Sequence, residues 1–271
     1  MCVSICMPVM GRPRMLAQAL HSILAQGYDD VELVIKDGDP EQPVTRDERV
    51  VAALRCFHGD QIKYECGHDA GIFPALNNCL KRATGDILYF MCSDDLLCAG
   101  ALQTANTVFE AERFGGAFWM YGKTISADET GKTLGVDGEQ ITLDDLLLHN
   151  RIGQPSVFWN RAMLDLAGNF DSRYRFAADY DMWLRFWKHR QPLFVDQPLG
   201  IFRHHDGSDT QIHPAETDAM ARKVSMRHNL LGPILARARS RWVDRRAYGW
   251  DETPLSHDEL QRMQVEPGWA P

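Results

Sequence analysis

Two adjacent carboxylates, Asp94 and Asp95, close an apolar run that begins Ile87-Leu88-Tyr89-Phe90-Met91 and continues through Cys92-Ser93. Such a run reads as a strand buried on both faces, and ligands of open α/β sheets gather outside the carboxyl ends of their strands. Neighbouring acids repel each other, and burying them unpaired is costly. A divalent cation removes that cost, and a metal held by carboxylates in this way characteristically holds diphosphate oxygens too. The competing reading is a helix cap, with Ser93 or Asp94 capping a segment that starts near Asp95 or Leu96.

Four more polar clusters fall at predicted element ends. Asp37-Gly38-Asp39-Pro40 follows a second apolar run and should share the sheet edge of Asp94 and Asp95. A turn explains Asp-Gly by itself; alternatively, a side chain there accepts a hydrogen bond from a base ring N–H. Gly67-His68-Asp69-Ala70-Gly71 precedes a helix containing Asn77. In Ala177 to Arg185, helical spacing puts Asp179 on the face of Met182, Trp183 and Phe186. A carboxylate near an apolar face has a raised pKa, as a general base needs; the other reading is an N-terminal helix acid favoured by the macrodipole. Asp181 precedes Arg185 by one turn and is read as half of a structural ion pair. In Phe202-Arg203-His204-His205-Asp206, adjacent histidines on an extended segment point to opposite sides, so one of them at most serves a site.

The elements that must position these groups alternate. Strands are predicted at Val3–Met7, Val31–Lys36, Gln61–Glu65 and Ile87–Met91, with helices at Pro13–Gln26, Arg46–Phe57 and Ile72–Ala83 between them. Alternation of this kind specifies a doubly wound, mostly parallel sheet. No G-x-G-x-x-G follows the first strand and no Walker A sequence is present, so a nucleotide needs a different grip. After Asp95 the pattern changes: a helix at Ala99–Glu112, strands near Ala117–Ile125, a Gly-rich connection over 130–138, and helices at Leu143–Asn150, Arg161–Ala167 and Ala178–Lys188. Strands follow at Leu193–Val195 and Gly200–His204, then a long helical stretch from Pro214.

Composition narrows the functional classes. The chain has 271 residues, 45% hydrophobic and 24% charged, and a net charge of −8, which argues against a general nucleic-acid binder. No stretch approaches the roughly 20 apolar residues of a membrane span. The first residues lack the basic region of a signal peptide. Seven cysteines without a Cys-x-x-Cys pair fit reduced thiols and a cytoplasmic setting rather than a zinc site. Against the acidic body, the stretch 222–246 carries Arg222, Lys223, Arg227, Arg237, Arg239, Arg241, Arg245 and Arg246 with the single acid Asp244. A solvated helix face explains it first; peripheral contact with an anionic membrane is second.

Taken in order, Ser4-Ile5-Cys6-Met7-Pro8, Asp37-Gly38, Gly71-Ile72-Phe73 with Asn77, Ser93-Asp94-Asp95, Gly168-Asn169-Phe170-Asp171, Ala178-Asp179-Tyr180-Asp181 and Arg203-x-His205 resemble the family 2 glycosyltransferases of the GT-A fold. The match runs from about Val3 to Ser208. The resemblance implies a Rossmann-like sheet flanked by helices and an inverting transfer from a nucleoside diphosphate sugar, with uridine the expected base. It implies help from Mg²⁺ or Mn²⁺ and a saccharide or lipid-linked acceptor. Carried over residue by residue, Asp37 contacts the nucleobase, Asp94 the ribose or base side, and Asp95 the metal. Asp179 deprotonates the acceptor hydroxyl, and His205 is a second metal ligand, near the diphosphate. Pro8, Val9, Gly11, Arg12, Asp69 and Asn77 complete the nucleotide side. The chain departs from the family at Val9-Met10-Gly11, at Pro74 and at Cys92, each standing where a polar or acidic residue is usual. The expected division is a nucleotide-sugar half over 1–96, an acceptor half over 97–213, and a helical basic extension over 214–271. A sugar-nucleotide pyrophosphorylase and an inactive glycosyltransferase-like subunit are the competing functions. The first lacks its Gly-rich basic loop, and retention of Asp95 and Asp179 speaks against the second.

Overall fold

The structure, a computed structural model, describes residues 1–229. Its first part alternates as the apolar pattern requires: β1 (Val3–Val9), α1 (Pro13–Leu24), β2 (Val31–Asp37), α2 (Glu48–Leu54), β3 (Ile62–Cys66), α3 (Ile72–Arg82) and β4 (Ile87–Phe90). The second part is β5 (Leu96–Leu97), α4 (Ala101–Glu112), β6 (Trp119–Asp128), β7 (Thr133–Asp137), α5 (Leu143–Leu148), β8 (Val157–Asn160), α6 (Arg161–Ala167), α7 (Ala178–His189), β9 (Leu193–His204), α8 (Asp209–Ile212) and α9 (Pro214–His228). One sheet runs through both parts in the order β3-β2-β1-β4-β8-β6-β9-β5, with β7 added on β6.

The four strands of the first part are parallel. Val3 of β1 pairs with Val31 on one side and Ile87 on the other, and Asp37 of β2 pairs with Cys66 of β3. Their carboxyl ends therefore share one edge, which gathers the segments after Val9, Asp37, Cys66 and Phe90. Both faces are covered, which is why these strands read as unbroken apolar runs. Ile5, Leu33 and Tyr89 pack with α1 and α4, whereas Cys6, Val34 and Leu88 pack with α3. Antiparallel pairs enter with β8, which lies between β4 and β6 (Leu88 to Trp159, Met120 to Phe158).

Past residue 95 the short strands β5 and β8 and the short helix α8 lie outside the sequence expectation, and two further features differ from it. The Gly-rich connection over 130–138 contains β7, a hairpin partner of β6 whose register shifts between Ser126 and Ala127. The strands expected at 193–195 and 200–204 are one continuous β9, parallel to β6 with shifts around Lys123. A side chain at Gly200 of β9 has no room: its Cβ would lie 1.9 Å from the Pro155 carbonyl oxygen. β5 runs antiparallel to β9, Leu96 opposite Ile201, so the end of β9 returns beside the acids that precede β5.

The second half is held by aromatic packing. Trp119, Trp159 and Trp183 are fully buried, with ring centroids 6.0 Å apart for Trp119–Trp183 and 5.8 Å for Trp159–Trp183. Phe170, Phe186 and Trp187 close the cluster. No helix among the described residues is long and apolar enough to cross a membrane.

Candidate active site

A cleft of about 1540 Å³ opens over the shared carboxyl edge of the parallel strands. Pro8, Val9, Arg12, Gly38, Asp69, Asp94 and Asp95 line it, and so do Asn150, Tyr174, Arg175, Asp179 and Arg222 from the second part of the chain.

The acid pair sits in a turn closed by the Asp95 N–H on the Cys92 carbonyl, 3.1 Å, and β5 follows at once. A strand there removes the helix-cap reading of Ser93 and Asp94. Asp94 Oδ2 lies 2.9 Å from His205 Nε2 and 3.3 Å from Arg12 Nη1. Burial alone would raise the Asp94 carboxyl, but His205 and Arg12 outweigh it and hold the group below the usual range. Asp95 is 2% exposed; its Oδ1 accepts from the Arg203 N–H at 3.1 Å, and its Oδ2 is buried with no hydrogen-bond partner. Burial and then the charge of Asp94 push its carboxyl well up. Arg203, itself buried, ties the site to α1 through Gln18 and the Met15 carbonyl, and donates to the Asp94 carbonyl.

These residues suit a divalent cation. Ligand atoms of Cys92, Asp94 and Asp95 lie within 4.8 Å of one another, and the orphaned Asp95 oxygen is a buried acceptor that a cation would satisfy. Burial, followed by Asp95 and Asp94, pushes the Cys92 thiol well above its ordinary value.

Ala177 precedes α7 in the left-handed region (φ 57°), turning the chain so that Asp179 enters the first helical turn facing the cleft. Asn150 Nδ2 donates to Asp179 Oδ2 at 3.4 Å. Burial raises the Asp179 carboxyl against the hydrogen bonds that lower it. A carboxylate tuned upward in a cleft is suited to take a proton. Asp181, by contrast, points into the protein. It is 1% exposed and accepts from Arg185 Nε and pairs with His228 Nε2, both at 2.8 Å.

Residues 4–152 match the family described as Glycosyl transferase family 2. The chain belongs to that family. It is thus a transferase enzyme, a glycosyltransferase, and its relatives agree. A "PGL/p-HBAD biosynthesis glycosyltransferase" of Mycobacterium bovis is 27% identical over 186 residues, 67% of this chain and 68% of that protein. The "GalNAc(5)-diNAcBac-PP-undecaprenol beta-1,3-glucosyltransferase" of Campylobacter jejuni is 25% identical, covering 74% of this chain and 64% of that one. Among solved structures, S. aureus TarS 1-349 in complex with UDP-GlcNAc superposes with a TM-score of 0.64 at 15% identity, covering 89% of this chain and 70% of that chain. In another TarS structure the overlap is 39% of the TarS chain. The likeness to TarS supports a shared GT-A fold.

In this glycosyltransferase the residues singled out from the sequence do not all reach the cleft. Pro8, Val9, Arg12, Asp69, Asp94, Asp95 and Asp179 line it. Gly11 does not; at φ 67° it makes the turn that presents Arg12. His205 stands behind Asp94, while His204 turns toward Gln211 at 3.0 Å and the Phe202 ring. Asp37, expected at the base, does not line the cleft. It is fully buried, and its carboxylate already accepts from the Asp39 and Val44 N–H groups and the Tyr64 hydroxyl. Asn77 is likewise committed, its amide exchanging both hydrogen bonds with the Phe170 backbone at 2.8 and 3.0 Å. In both, the polar side chain is taken up by structural hydrogen bonds.

Two cleft residues escaped the sequence reading. Asn150 stands on a loop after α5 with no pattern to mark it, and Tyr174 reads as a core aromatic. In the basic stretch 222–246, Arg227 is engaged with Asp171 at 3.1 Å and the Tyr174 hydroxyl at 2.9 Å, and Arg222 lines the cleft. Arg237, Arg239, Arg241, Arg245 and Arg246 lie outside the described residues, as does the rest of the expected extension beyond Asn229.

Proposed function

We propose that this glycosyltransferase moves a sugar, with inversion, from a uridine diphosphate sugar to a hydroxyl of a saccharide or lipid-linked saccharide. The observation that carries this reading is the gathering of acids in one cleft, in different electrostatic settings. Asp94 and Asp95 line it with Arg12, His205 stands behind Asp94, and a single upward-tuned carboxylate, Asp179, lines the same cleft. One displacement with inversion needs that layout: a base on the acceptor side and a stabilised leaving group opposite.

The roles follow from the chain's own groups. Asp179 takes the acceptor proton, oriented by Asn150. Arg12 steadies anionic oxygens of the leaving diphosphate, and His205 holds Asp94 from behind. Asp95, with Asp94 beside it, would hold Mg²⁺ or Mn²⁺, which when bound supplies Lewis-acid stabilisation of that leaving group. UDP-GlcNAc in the TarS complex and the polyprenol diphosphate named for the Campylobacter relative support the donor and acceptor classes. Work at the cytoplasmic face of a membrane, through peripheral contact by 222–246, is part of the same proposal.

The test is thermal shift with a nucleotide panel, with and without Mn²⁺. Stabilisation by nucleoside diphosphates, with Mn²⁺ required, is the expected result. Preference for triphosphates points to a pyrophosphorylase, and indifference to all of them to a subunit without catalysis.

A further inference from the structure

Of the seven cysteines, Cys92 is the one that lines the cleft. It stands two residues before the acid pair, at one of the positions where the chain departs from the family it resembles. Its Sγ and one carboxylate oxygen each of Asp94 and Asp95 lie within 4.8 Å of one another. The turn closed by the Asp95 N–H on the Cys92 carbonyl, 3.1 Å, folds this short segment back on itself. Among the described residues no other three His, Cys, Asp or Glu side chains converge in this way.

The thiol is oriented without being saturated. Gln154 Nε2 donates to the Phe90 carbonyl at 2.6 Å, which fixes the amide, and its Oε1 lies 3.6 Å from Cys92 Sγ. A thiol is a weak donor, so exchanging that contact for a metal bond gives up little. A second observation, independent of the cysteine, points to a ligand: Asp95 is 2% exposed, and its Oδ2 is buried without a partner. Two carboxylates alone make an oxygen site, which suits a hard ion. Sulfur as a third donor changes which ion the site prefers.

We propose that Cys92 ligates the divalent cation beside Asp94 and Asp95, and that its sulfur makes the site select Mn²⁺, or a softer ion such as Co²⁺ or Zn²⁺, over Mg²⁺. The inference rests on the metal reading above and narrows it. On binding, the S–H bond breaks, the proton passes to solvent and the sulfur electron pair forms the bond to the metal, with no change of oxidation state. Mg²⁺ takes oxygen ligands and gives up its waters reluctantly, so a thiolate offers it little. Softer divalent ions gain from sulfur. Cys92 is thus the residue that sets the identity of the ion.

Co²⁺ is the decisive probe, because a thiolate bound to it adds a near-ultraviolet charge-transfer band that carboxylates do not give. The full chain, with its thiols reduced, is titrated with Co²⁺ in the presence and absence of UDP. The same is done for Cys92→Ser, Cys92→Asp and Asp95→Ala, and calorimetry gives Mn²⁺ and Mg²⁺ affinities for each. The parent should show a saturable band. Cys92→Ser should lose it, and Asp95→Ala should lose the band and the metal together. Cys92→Asp, with oxygen in place of sulfur, should bind Co²⁺ without the band and lower the Mn²⁺-to-Mg²⁺ affinity ratio by about tenfold or more. A band that survives in Cys92→Ser comes from another thiol, such as the exposed Cys56 or Cys66, and overturns the assignment. Co²⁺ bound by the parent without the band, or an unchanged ratio in Cys92→Asp, also overturns it while the metal reading stands. If Cys92→Asp does not fold, the spectra of the parent and Cys92→Ser decide. Binding of neither Co²⁺ nor Mn²⁺ by the parent, with or without UDP, overturns both.

Discussion

Asp179 and Asp181 stand two residues apart on α7, and replacing each with Asn should give opposite phenotypes. Asp179 faces the cleft with its carboxyl raised by burial. Its folded value lies above its unfolded one, so the ionised group opposes folding once pH exceeds the ordinary carboxylate range, and the amide removes that cost. Asp179→Asn should thus fold with stability within about 1 kcal/mol of the parent, the size of one hydrogen bond. Its kcat should fall about 10²–10⁴-fold, the loss typical of a general base. For Asp181, burial alone would raise the carboxyl, but His228 and Arg185 outweigh it and hold it below the usual range. Its contribution is present above the unfolded value, near pH 4, and is lost as pH falls through the folded one. Breaking a buried pair costs about 3–5 kcal/mol, and the retained amide acceptor returns about 1, leaving about 2–4 kcal/mol. At about 2–4 °C per kcal/mol for a chain of this size, Tm should fall by roughly 5–15 °C. Denaturant melts at pH 7 and pH 4, with turnover measured per folded molecule, separate the two. The gap between parent and Asp181→Asn should be largely kept at pH 4 and narrow only as pH falls further, through the folded value. The reasoning fails if Asp181→Asn melts with the parent, or if Asp179→Asn keeps more than about a tenth of parental turnover.

Asp95→Ala should fold and lose Mn²⁺-dependent binding of nucleoside diphosphate; equal affinity with and without Mn²⁺ in parent and variant alike would refute the metal role. His205→Ala, which removes the partner of Asp94, should impair donor binding more than His204→Ala, whose ring faces Gln211, and isothermal titration ranks them. Gly200→Ala should destabilise by about 3 kcal/mol or more, at the upper end of overpacking costs, because its Cβ meets the backbone of Pro155 rather than a movable side-chain end. A melt within about 1 kcal/mol of the parent would show that the 154–156 turn yields.

The first ninety residues were legible because both faces of their strands are covered, so apolar runs and amphipathic helices each leave a distinct pattern. Past Asp95 that pattern fails. Val157–Asn160 is four residues long, too short to show a period, and β7 hides among glycines. In the site, Asp94, Asp95 and Asp179 stand where the sequence put them in relation to the sheet edge and α7. Asp37 gives the same signal as they do, an acid ending an apolar run, and only its three donors show that it serves the turn. Lys36 and Arg203 are buried cations whose partners come from distant segments, which no local pattern records.

The aromatic cluster also decides what an optical measurement of this protein can see. Of its seven tryptophans, Trp119, Trp159, Trp183 and Trp187 lie in or against that cluster, and Trp242, Trp250 and Trp269 lie past the described residues. Nothing before residue 119 carries an indole. Intrinsic fluorescence of the described body therefore follows the part after residue 118 and is blind to loosening among β1, β2 and β3. A fluorescence melt that coincides with far-ultraviolet dichroism would mean the two halves unfold as one cooperative unit. If dichroism begins to change first, the strands that carry the nucleotide end open ahead of the rest, and a fluorescence-based ligand screen would miss it.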